Sequence, residues 1–236
     1  MTQYTVTLSL LPPTMAALTG SGFVLYALRA TRSSDLAGRP LVWRSQSDYA
    51  PTTVISWLDG YVAYTSSSPI VPGQPVLAGF SVAVTPGQVL QVIKGGGGTV
   101  HSGGPAGTVS LSNTTTSEFT CGIGGGATGD QQPAFCAFPL YGLNLQVLTP
   151  LQVVLLMFST QQLAPGTVYT GGSAESADQA SPLNASTPGL LVDLSGQSGR
   201  GVGYDIDAGW SWDGGSWAQQ LPAGTDLVPY LIQRPS

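Results

Sequence analysis

The sequence predicts an all-β protein, built either as an antiparallel β-sandwich or as two stacked β subdomains. Short runs of alternating apolar and polar residues recur along the chain. Turn signals separate them at roughly the 8–12-residue spacing that is typical of sandwiches and barrels. Of the 236 residues, 32 are glycine and 18 are proline, and both are spread among apolar runs rather than collected in a disordered tract. We therefore expect about 12–15 short strands and at most one short helix.

The N-terminal part begins with the clearest strand. Residues 4–10 alternate apolar and polar side chains, as a strand with one buried face does. Pro12 and Pro13 end this strand, and residues 14–18 form the one helix candidate, because proline is favoured in the first turn of a helix. Further strands are predicted at residues 23–30, 40–44, 53–58, 61–65, 76–84 and 89–93.

Two Asp-Gly pairs predict hairpins. Asp59-Gly60 separates residues 53–58 from 61–65, and Asp213-Gly214 lies between residues 209–212 and 216–221. Such pairs suit type I′ turns, which need positive φ at both central residues. A third signal, Pro86-Gly87, suits a type II turn.

The remainder of the chain continues the β pattern. The most apolar segment comprises residues 134–138, 143–148 and 151–159 and predicts central strands that are buried on both faces. Residues 94–107 are a glycine-rich loop. They are the best candidate for a subdomain break, near residues 95–107, within what is otherwise a single domain over residues 1–236. Residues 169–188 form a polar loop. The other predicted strands are 108–112, 117–121, 190–194, 202–207 and 226–232.

The charge pattern excludes some partners. Only 8% of residues are charged, the net charge is −5, and Lys94 is the single lysine. Nucleic-acid binding needs clustered Lys and Arg, so we expect no nucleic-acid partner. The longest apolar run, residues 153–158, is far shorter than the roughly 20 residues that a bilayer-spanning helix needs. No signal peptide is recognisable, and we favour an extracellular or otherwise exported protein.

Two cysteines, Cys121 and Cys136, flank a glycine-rich loop. We expect a disulfide between them, which would stabilise the fold by about 3 kcal/mol in the chain-entropy model. The alternative is a pair of reduced, buried thiols. Two cysteines and one histidine cannot supply a structural zinc site.

Catalytic groups are scarce. His101 is the only histidine and lies in the glycine-rich loop, where little scaffold would hold an imidazole. The two glutamates, Glu118 and Glu175, lie in no motif that suggests a glycosidase pair. We therefore expect no enzyme activity and no cofactor.

The segment from residue 209 to 217 holds three of the five tryptophans. A two-residue turn at either Asp213-Gly214 or Gly214-Gly215 places all three indoles on one face of the hairpin. A three-residue loop over residues 213–215 would instead send Trp217 to the other face. Indoles on a β face can stack on sugar rings while nearby carboxylates bind hydroxyls. The predicted ligand-binding residues are Trp210, Trp212, Trp217, Asp205, Asp207 and Asp213. Packing of the indoles in the core is the alternative, and calcium at Asp205 and Asp207 is a weaker hypothesis.

These observations favour a non-enzymatic, lectin-like module that binds carbohydrate or a cell surface. The expected partner is a cell-surface glycan or a membrane, and we expect a homo-oligomer. One alternative is a membrane-acting, toxin-like pore former, because the Ser/Thr-rich alternation of residues 108–120 could line a β-barrel. Another is a self-assembling structural β protein, since few charges protect the sheet edges.

Overall fold

Eighteen strands and two helices make up the part of the chain that the structure, a computed structural model, describes: residues 1–125, 133–169 and 187–235. In chain order the strands are β1 (Gln3–Leu10), β2 (Val24–Arg32), β3 (Arg39–Pro40), β4 (Arg44–Gln46), β5 (Thr52–Leu58), β6 (Tyr61–Ser66), β7 (Phe80–Val84), β8 (Gln88–Val92), β9 (Gly98–Ser102), β10 (Val109–Asn113), β11 (Phe119–Gly125), β12 (Cys136–Leu140), β13 (Leu145–Ser159), β14 (Gly189–Asp193), β15 (Gly199–Asp205), β16 (Gly209–Ser211), β17 (Ala218–Leu221) and β18 (Ile232–Gln233). The helices are α1 (Pro12–Gly20) and α2 (Val228–Leu231). The predicted all-β class is confirmed.

The strands form three sheets. A four-stranded sheet has the order β16-β15-β1-β5, and a five-stranded sheet has the order β3-β12-β11-β6-β7. The nine-stranded sheet runs β17-β14-β13-β10-β8-β9, and β2 joins it by pairing with β13, β4 and β18. Most neighbours are antiparallel, as predicted, but the pairs β1–β15, β8–β10 and β2–β18 are parallel. Parallel pairs join segments that are distant in sequence, which local alternation does not reveal.

Two neighbouring strands, β2 and β13, lie at the centre of the core. On β2, Leu25 and Ala27 pack into the main apolar cluster, whereas Tyr26 and Leu28 pack into a second cluster on the opposite face. Residues 153–159 of β13 are all buried. The predicted pair of apolar strands in residues 143–159 is thus one long central strand, with a register shift against β2 between Pro150 and Val154.

The turn signals occur at changes of sheet rather than in hairpins. Asp59-Gly60 follows β5 of the four-stranded sheet and precedes β6 of the five-stranded sheet. Pro86-Gly87 likewise connects β7 to β8 in another sheet, although Gly87 has the positive φ of 93° that a type II turn requires. The hairpin prediction at Asp59-Gly60 is therefore wrong. Turn chemistry fixes the local backbone, and the partner of each strand depends on which apolar face it must cover.

The glycine-rich segment at residues 94–107 contains a strand that the sequence does not predict. Residues 98–102 form β9, which pairs with β8 through a turn closed by the hydrogen bond from Ile93 N–H to Gly97 O, 2.9 Å. Glycine is required here, because a Cβ at Gly98 would lie 2.2 Å from Gln91 O. The predicted loop over residues 169–188 lies mostly outside the described residues.

The predicted helix is present as α1, which begins at Pro12 and ends at Gly20, and buries Thr14 and Leu18. The last predicted strand, residues 226–232, differs: its first part forms the single turn α2, and only Ile232 and Gln233 form a strand. Asp226 causes this difference in part, because its Oδ1 accepts a hydrogen bond from Val228 N–H (3.0 Å) at the start of the turn. Neither helix in the described ranges has the length and apolarity that a bilayer crossing requires.

The two cysteines are free, buried thiols, so the predicted disulfide is not seen. The pairing register explains this. Cys121 on β11 lies opposite Phe138 on β12, and Cys136 is two residues further along. Residues in such a diagonal arrangement lie about 7–8 Å apart, and their Cβ atoms are only somewhat closer. A disulfide needs Cβ atoms about 3.5–4.5 Å apart. The hydroxyl of Tyr64 donates to Cys136 O (2.8 Å), and a Cβ at Gly122 would lie 2.0 Å from the same oxygen, so the surrounding backbone is tightly packed.

The buried thiols predict a loss of stability at alkaline pH. Burial raises the pKa of Cys136 from 9.0 to about 11 and raises that of Cys121 as well. A folded-state pKa above the unfolded value stabilises the fold fully below pH 9.0, and this contribution is lost as the pH rises through about 11. We expect the free energy of unfolding, measured by urea denaturation, to be constant from pH 7 to pH 8.5, as estimated from the unfolded thiol, and to fall above about pH 9.

The variant Cys136→Ala should lose less stability than the wild type between about pH 9 and pH 10, before tyrosine ionisation dominates. Thiol titration provides a second readout. Two thiols should react in urea without reductant, and none in the folded protein. Failure to detect thiols in urea would mean that the cysteines are oxidised after all.

Candidate functional site

The tryptophan segment links two sheets. Its first strand, β16, pairs with β15 in the four-stranded sheet, and Trp210 lies opposite Tyr204. The strand that follows the segment, β17, pairs with β14 in the nine-stranded sheet. The hairpin predicted around Asp213-Gly214 is therefore wrong, although Gly214 does have a positive φ of 81°. Trp210 lies inside the main apolar cluster, and Trp212 and Trp217 are half-buried against the same cluster.

Trp210 belongs to the core. It is only 6% exposed and stacks on Phe158 with ring centroids 5.7 Å apart. The ring of Tyr204 on the neighbouring strand lies 4.9 Å from the Trp210 ring, measured between centroids. The Nε1–H of Trp210 donates to Pro188 O at 2.6 Å. Because both its ring and its polar atom are occupied inside the fold, Trp210 is removed from the predicted binding site.

Trp212 and Trp217 are half-buried on either side of the turn. The Nε1–H of Trp212 donates to Gly215 O (3.1 Å), and that of Trp217 donates to Asp213 Oδ1 (2.9 Å). Asp213 Oδ1 also accepts from Gly215 N–H (3.0 Å), so this carboxylate holds the turn together. The guanidinium of Arg200 lies 4.6 Å from the centre of the Trp217 ring and covers one of its faces.

Asp205 and Asp207 are not a pair on one strand face, because β15 ends at Asp205 and Asp207 lies in the following turn. Asp205 Oδ1 accepts hydrogen bonds from Asp207 N–H and Ala208 N–H, both 3.0 Å, and its Oδ2 accepts one from Thr14 Oγ1 at 3.0 Å. The Ala208 bond, followed by the other two, lowers the pKa of Asp205. This side chain thus fastens α1 to the turn.

The calcium hypothesis gains no support from this geometry. Within the described ranges, no three Asp, Glu, His or Cys side chains gather into a group that could hold a metal ion. The oxygens of Asp205 already accept three hydrogen bonds within the protein.

One predicted residue, Trp217, lines a groove on the nine-stranded sheet, with a volume of about 260 Å³. The groove crosses β17, β14, β13, β2 and β18, so it is assembled from segments that are far apart in sequence. Its polar lining residues are Arg32, Asp193, Ser195, Ser216, Gln219 and Gln233, and its apolar ones are Leu151, Val153, Leu191 and Ala218.

Strand pairing brings the polar groups of the groove together. Asp193 on β14 lies opposite Val153 on β13. On the other flank of β13, Arg32 on β2 pairs with Gln233 on β18. One oxygen of Asp193 accepts from Ser195 N–H (2.7 Å), and within the described ranges its second oxygen accepts no hydrogen bond. The amide groups of Gln219 and Gln233 line the same groove. The groove therefore offers donors and acceptors around one indole.

Comparison with protein-family models, curated proteins and solved structures finds no match to this chain.

Two other clefts provide less suitable chemistry for a polar ligand. The first, of about 380 Å³, is mainly apolar, and its Trp43 is fully buried, unlike the half-buried Trp217. The second, of about 430 Å³, is lined by Ser66 and Thr120, among others. Both hydroxyls already donate within the protein, to Leu77 O and Ser68 O respectively.

Catalytic groups do not converge in the described ranges. His101 is exposed on β9, where its Nε2 lies 2.9 Å from Thr99 Oγ1. Both cysteines are buried in a different sheet, on β11 and β12. The sequence could not have identified Arg32, Asp193 and Gln233 as neighbours of Trp217, because only the pairing of distant strands places them together.

Proposed function

We propose that this protein is a non-enzymatic carbohydrate-binding module and that its ligand occupies the groove beside Trp217. The observation that carries this proposal is the combination of a half-buried indole with carboxylate, guanidinium and amide groups around it. A sugar ring presents an apolar face that can contact an indole and hydroxyls that need both donors and acceptors. A volume of about 260 Å³ suits one or two sugar rings better than a long oligosaccharide.

The residues of the proposed site differ from those expected from the sequence. Of the six predicted ligand-binding residues, Trp217 is kept. Asp193, Gln219, Gln233 and Arg32 replace the others, because they line the same groove. A low proportion of charged residues is compatible with a neutral or weakly charged glycan.

A glycan array with purified protein tests the proposal. We expect the wild type to bind at least one glycan and Trp217→Ala to bind it about tenfold more weakly, since an aromatic contact contributes about 0.5–1.5 kcal/mol beyond its buried area. Gln219→Ala should weaken binding as well, because Gln219 is exposed and lines the groove.

Trp212→Ala is the matched control. Trp212 is half-buried beside the same turn and does not line the groove, and Asp213 still bonds Gly215 N–H and Trp217 without it, so its removal should leave glycan binding unchanged. Thermal denaturation of each variant would separate unfolding from loss of affinity. A wild type that binds no glycan, or equal affinity of Trp217→Ala and wild type, would count against the proposal.

Pore formation and self-assembly remain second hypotheses. Residues 108–120, which suggested a barrel-lining segment, contribute to β10 and β11 in two different sheets. Ser110 and Asn113 are buried there. This placement adds no support to pore formation.

A further inference from the structure

Four large apolar side chains are exposed together at one end of the nine-stranded sheet. They are Ile93 (50% exposed), Tyr141 (49%), Leu143 (73%) and Leu145 (52%), and we call this surface the tip. Backbone hydrogen bonds hold its segments side by side: Thr114 N–H donates to Val92 O (3.1 Å), and Leu143 N–H donates to Thr115 O (2.8 Å). None of these four side chains lines the three clefts described above, and about half or more of each is exposed.

The backbone under the tip is rigidly supported. Asn113 is 2% exposed, and its side chain donates to Ser117 O (2.7 Å) and Tyr141 O (3.0 Å) while accepting from Thr115 N–H (3.0 Å). At Gly142 an added Cβ would lie 2.6 Å from Thr116 O, so the turn packs directly against its neighbour. The tip is therefore held in place before any partner arrives.

Leu143 is held in an unfavourable backbone conformation. Its φ is +57°, and it is the one non-glycine residue with positive φ in the described ranges. Leucine is strained in this region, which glycine or asparagine tolerates. Core packing cannot explain the leucine, because its side chain is 73% exposed. A strained residue that presents an apolar side chain to the outside points to a contact with a partner.

The size of the tip distinguishes between partners. Side chains that are about half exposed present on the order of 100 Å² each, and the four together present on the order of 400 Å². A specific protein interface buries about 800 Å² on each partner, so the tip is too small for a stable dimer.

Its chemistry suits a lipid surface. A tyrosine beside branched aliphatic side chains is typical of the boundary between headgroups and acyl chains. One cation, Lys94, adjoins Ile93, and one anion, Glu118, lies on the neighbouring segment, so the tip has no strong charge preference. We propose that the tip inserts into the interface of a phospholipid bilayer and that zwitterionic lipid is sufficient for this contact.

Co-sedimentation with phosphatidylcholine vesicles tests this inference, with phosphatidylserine-containing vesicles in parallel. The wild type should sediment with both vesicles to a similar extent. The double variant Leu143→Asn/Leu145→Ser should bind at least about tenfold more weakly, because it removes the most exposed apolar surface. Its urea midpoint should be unchanged or higher, since asparagine tolerates the positive φ.

Leu77→Ser is the matched control, since Leu77 is 69% exposed and lies outside the tip. It should bind vesicles as the wild type does. The inference is overturned if the wild type stays in the supernatant, if the double variant binds normally, or if Leu77→Ser loses binding equally. It is also overturned if the double variant abolishes a dimer that forms without lipid. Because the vesicles carry no glycan, the result is independent of the Trp217 groove.

Discussion

Trp210→Ala is expected to lower the free energy of unfolding by about 3–5 kcal/mol, the usual range for removing a large aromatic side chain from a core. The indole is 6% exposed and stacks on Phe158 at 5.7 Å. Its removal also leaves Pro188 O without the 2.6 Å hydrogen bond from Nε1. Urea denaturation monitored by far-UV circular dichroism would measure the change, because the peptide backbone dominates that signal.

Two further variants separate the loss of packing from the loss of the hydrogen bond and compare Trp210 with a half-buried indole. Trp210→Phe keeps most of the apolar contact and removes the N–H donor, so we expect a smaller loss of about 1–3 kcal/mol. Trp212→Ala should also cost less than Trp210→Ala, because Trp212 is half-buried and donates only within its own turn. A loss below about 1 kcal/mol for Trp210→Ala would show that the indole lies on the surface, as its predicted role in ligand binding required.

Local sequence patterns predict the elements that depend on local chemistry. The alternation in residues 4–10 predicts β1, where Val6, Leu8 and Leu10 are buried. The proline pair after Leu11 predicts the start of α1, because proline tolerates the first turn of a helix and interrupts a strand.

Strand pairing could not be predicted in the same way. Three turn signals, at Asp59-Gly60, Pro86-Gly87 and Asp213-Gly214, are followed by strands in a different sheet. Gly87 and Gly214 have positive φ and bend the chain locally, whereas Gly60 does not have a positive φ. None of the three glycines determines which partner the next strand finds. The choice depends on apolar faces such as those of Trp210 and Phe158, whose contact joins residues far apart in sequence.

The candidate site was only partly predictable for the same reason. Trp217 stands out in the sequence because three tryptophans lie close together. Arg32 and Asp193 carry no local signal, and they reach the groove because β2 and β14 both pair with β13. Asp205 stood out as a ligand candidate, yet its oxygens are used by a turn and by Thr14, which is a common role for an aspartate at the end of a strand.

Substitution of Arg29 is also expected to change the free energy of unfolding strongly. It is fully buried on β2 among aromatic rings. Its Cζ lies 4.5 Å from the ring centre of Phe135, 5.3 Å from Trp57, 5.4 Å from Trp43 and 5.7 Å from Tyr61. Among the described residues, none of its three side-chain nitrogens has a hydrogen-bond partner. Burial lowers the pKa of Arg29, while Tyr61 acts in the opposite direction.

The magnitudes indicate that this charge destabilises the fold. Cation–π contacts contribute about 2 kcal/mol each when desolvated, so four rings offset about 8 kcal/mol at most. Within the described ranges no donor of Arg29 meets hydrogen-bond geometry, although the neighbouring Tyr61 hydroxyl favours the charged form. Each unpaired donor costs about 1–3 kcal/mol, and removing the cation from water costs several kcal/mol more. The carboxylate of Asp59 attracts the cation without bonding to it, since it accepts a 2.7 Å hydrogen bond from the Tyr61 hydroxyl.

We therefore expect Arg29→Met to raise the free energy of unfolding by about 1–4 kcal/mol, because methionine fills a similar volume without a charge. Arg29→Ala should be less stable than Arg29→Met by about 2–5 kcal/mol, since it leaves a cavity among the four rings. Urea denaturation of the two variants and the wild type at one pH measures both differences. If Arg29→Met were several kcal/mol less stable than the wild type, the aromatic rings would stabilise the guanidinium more than burial destabilises it.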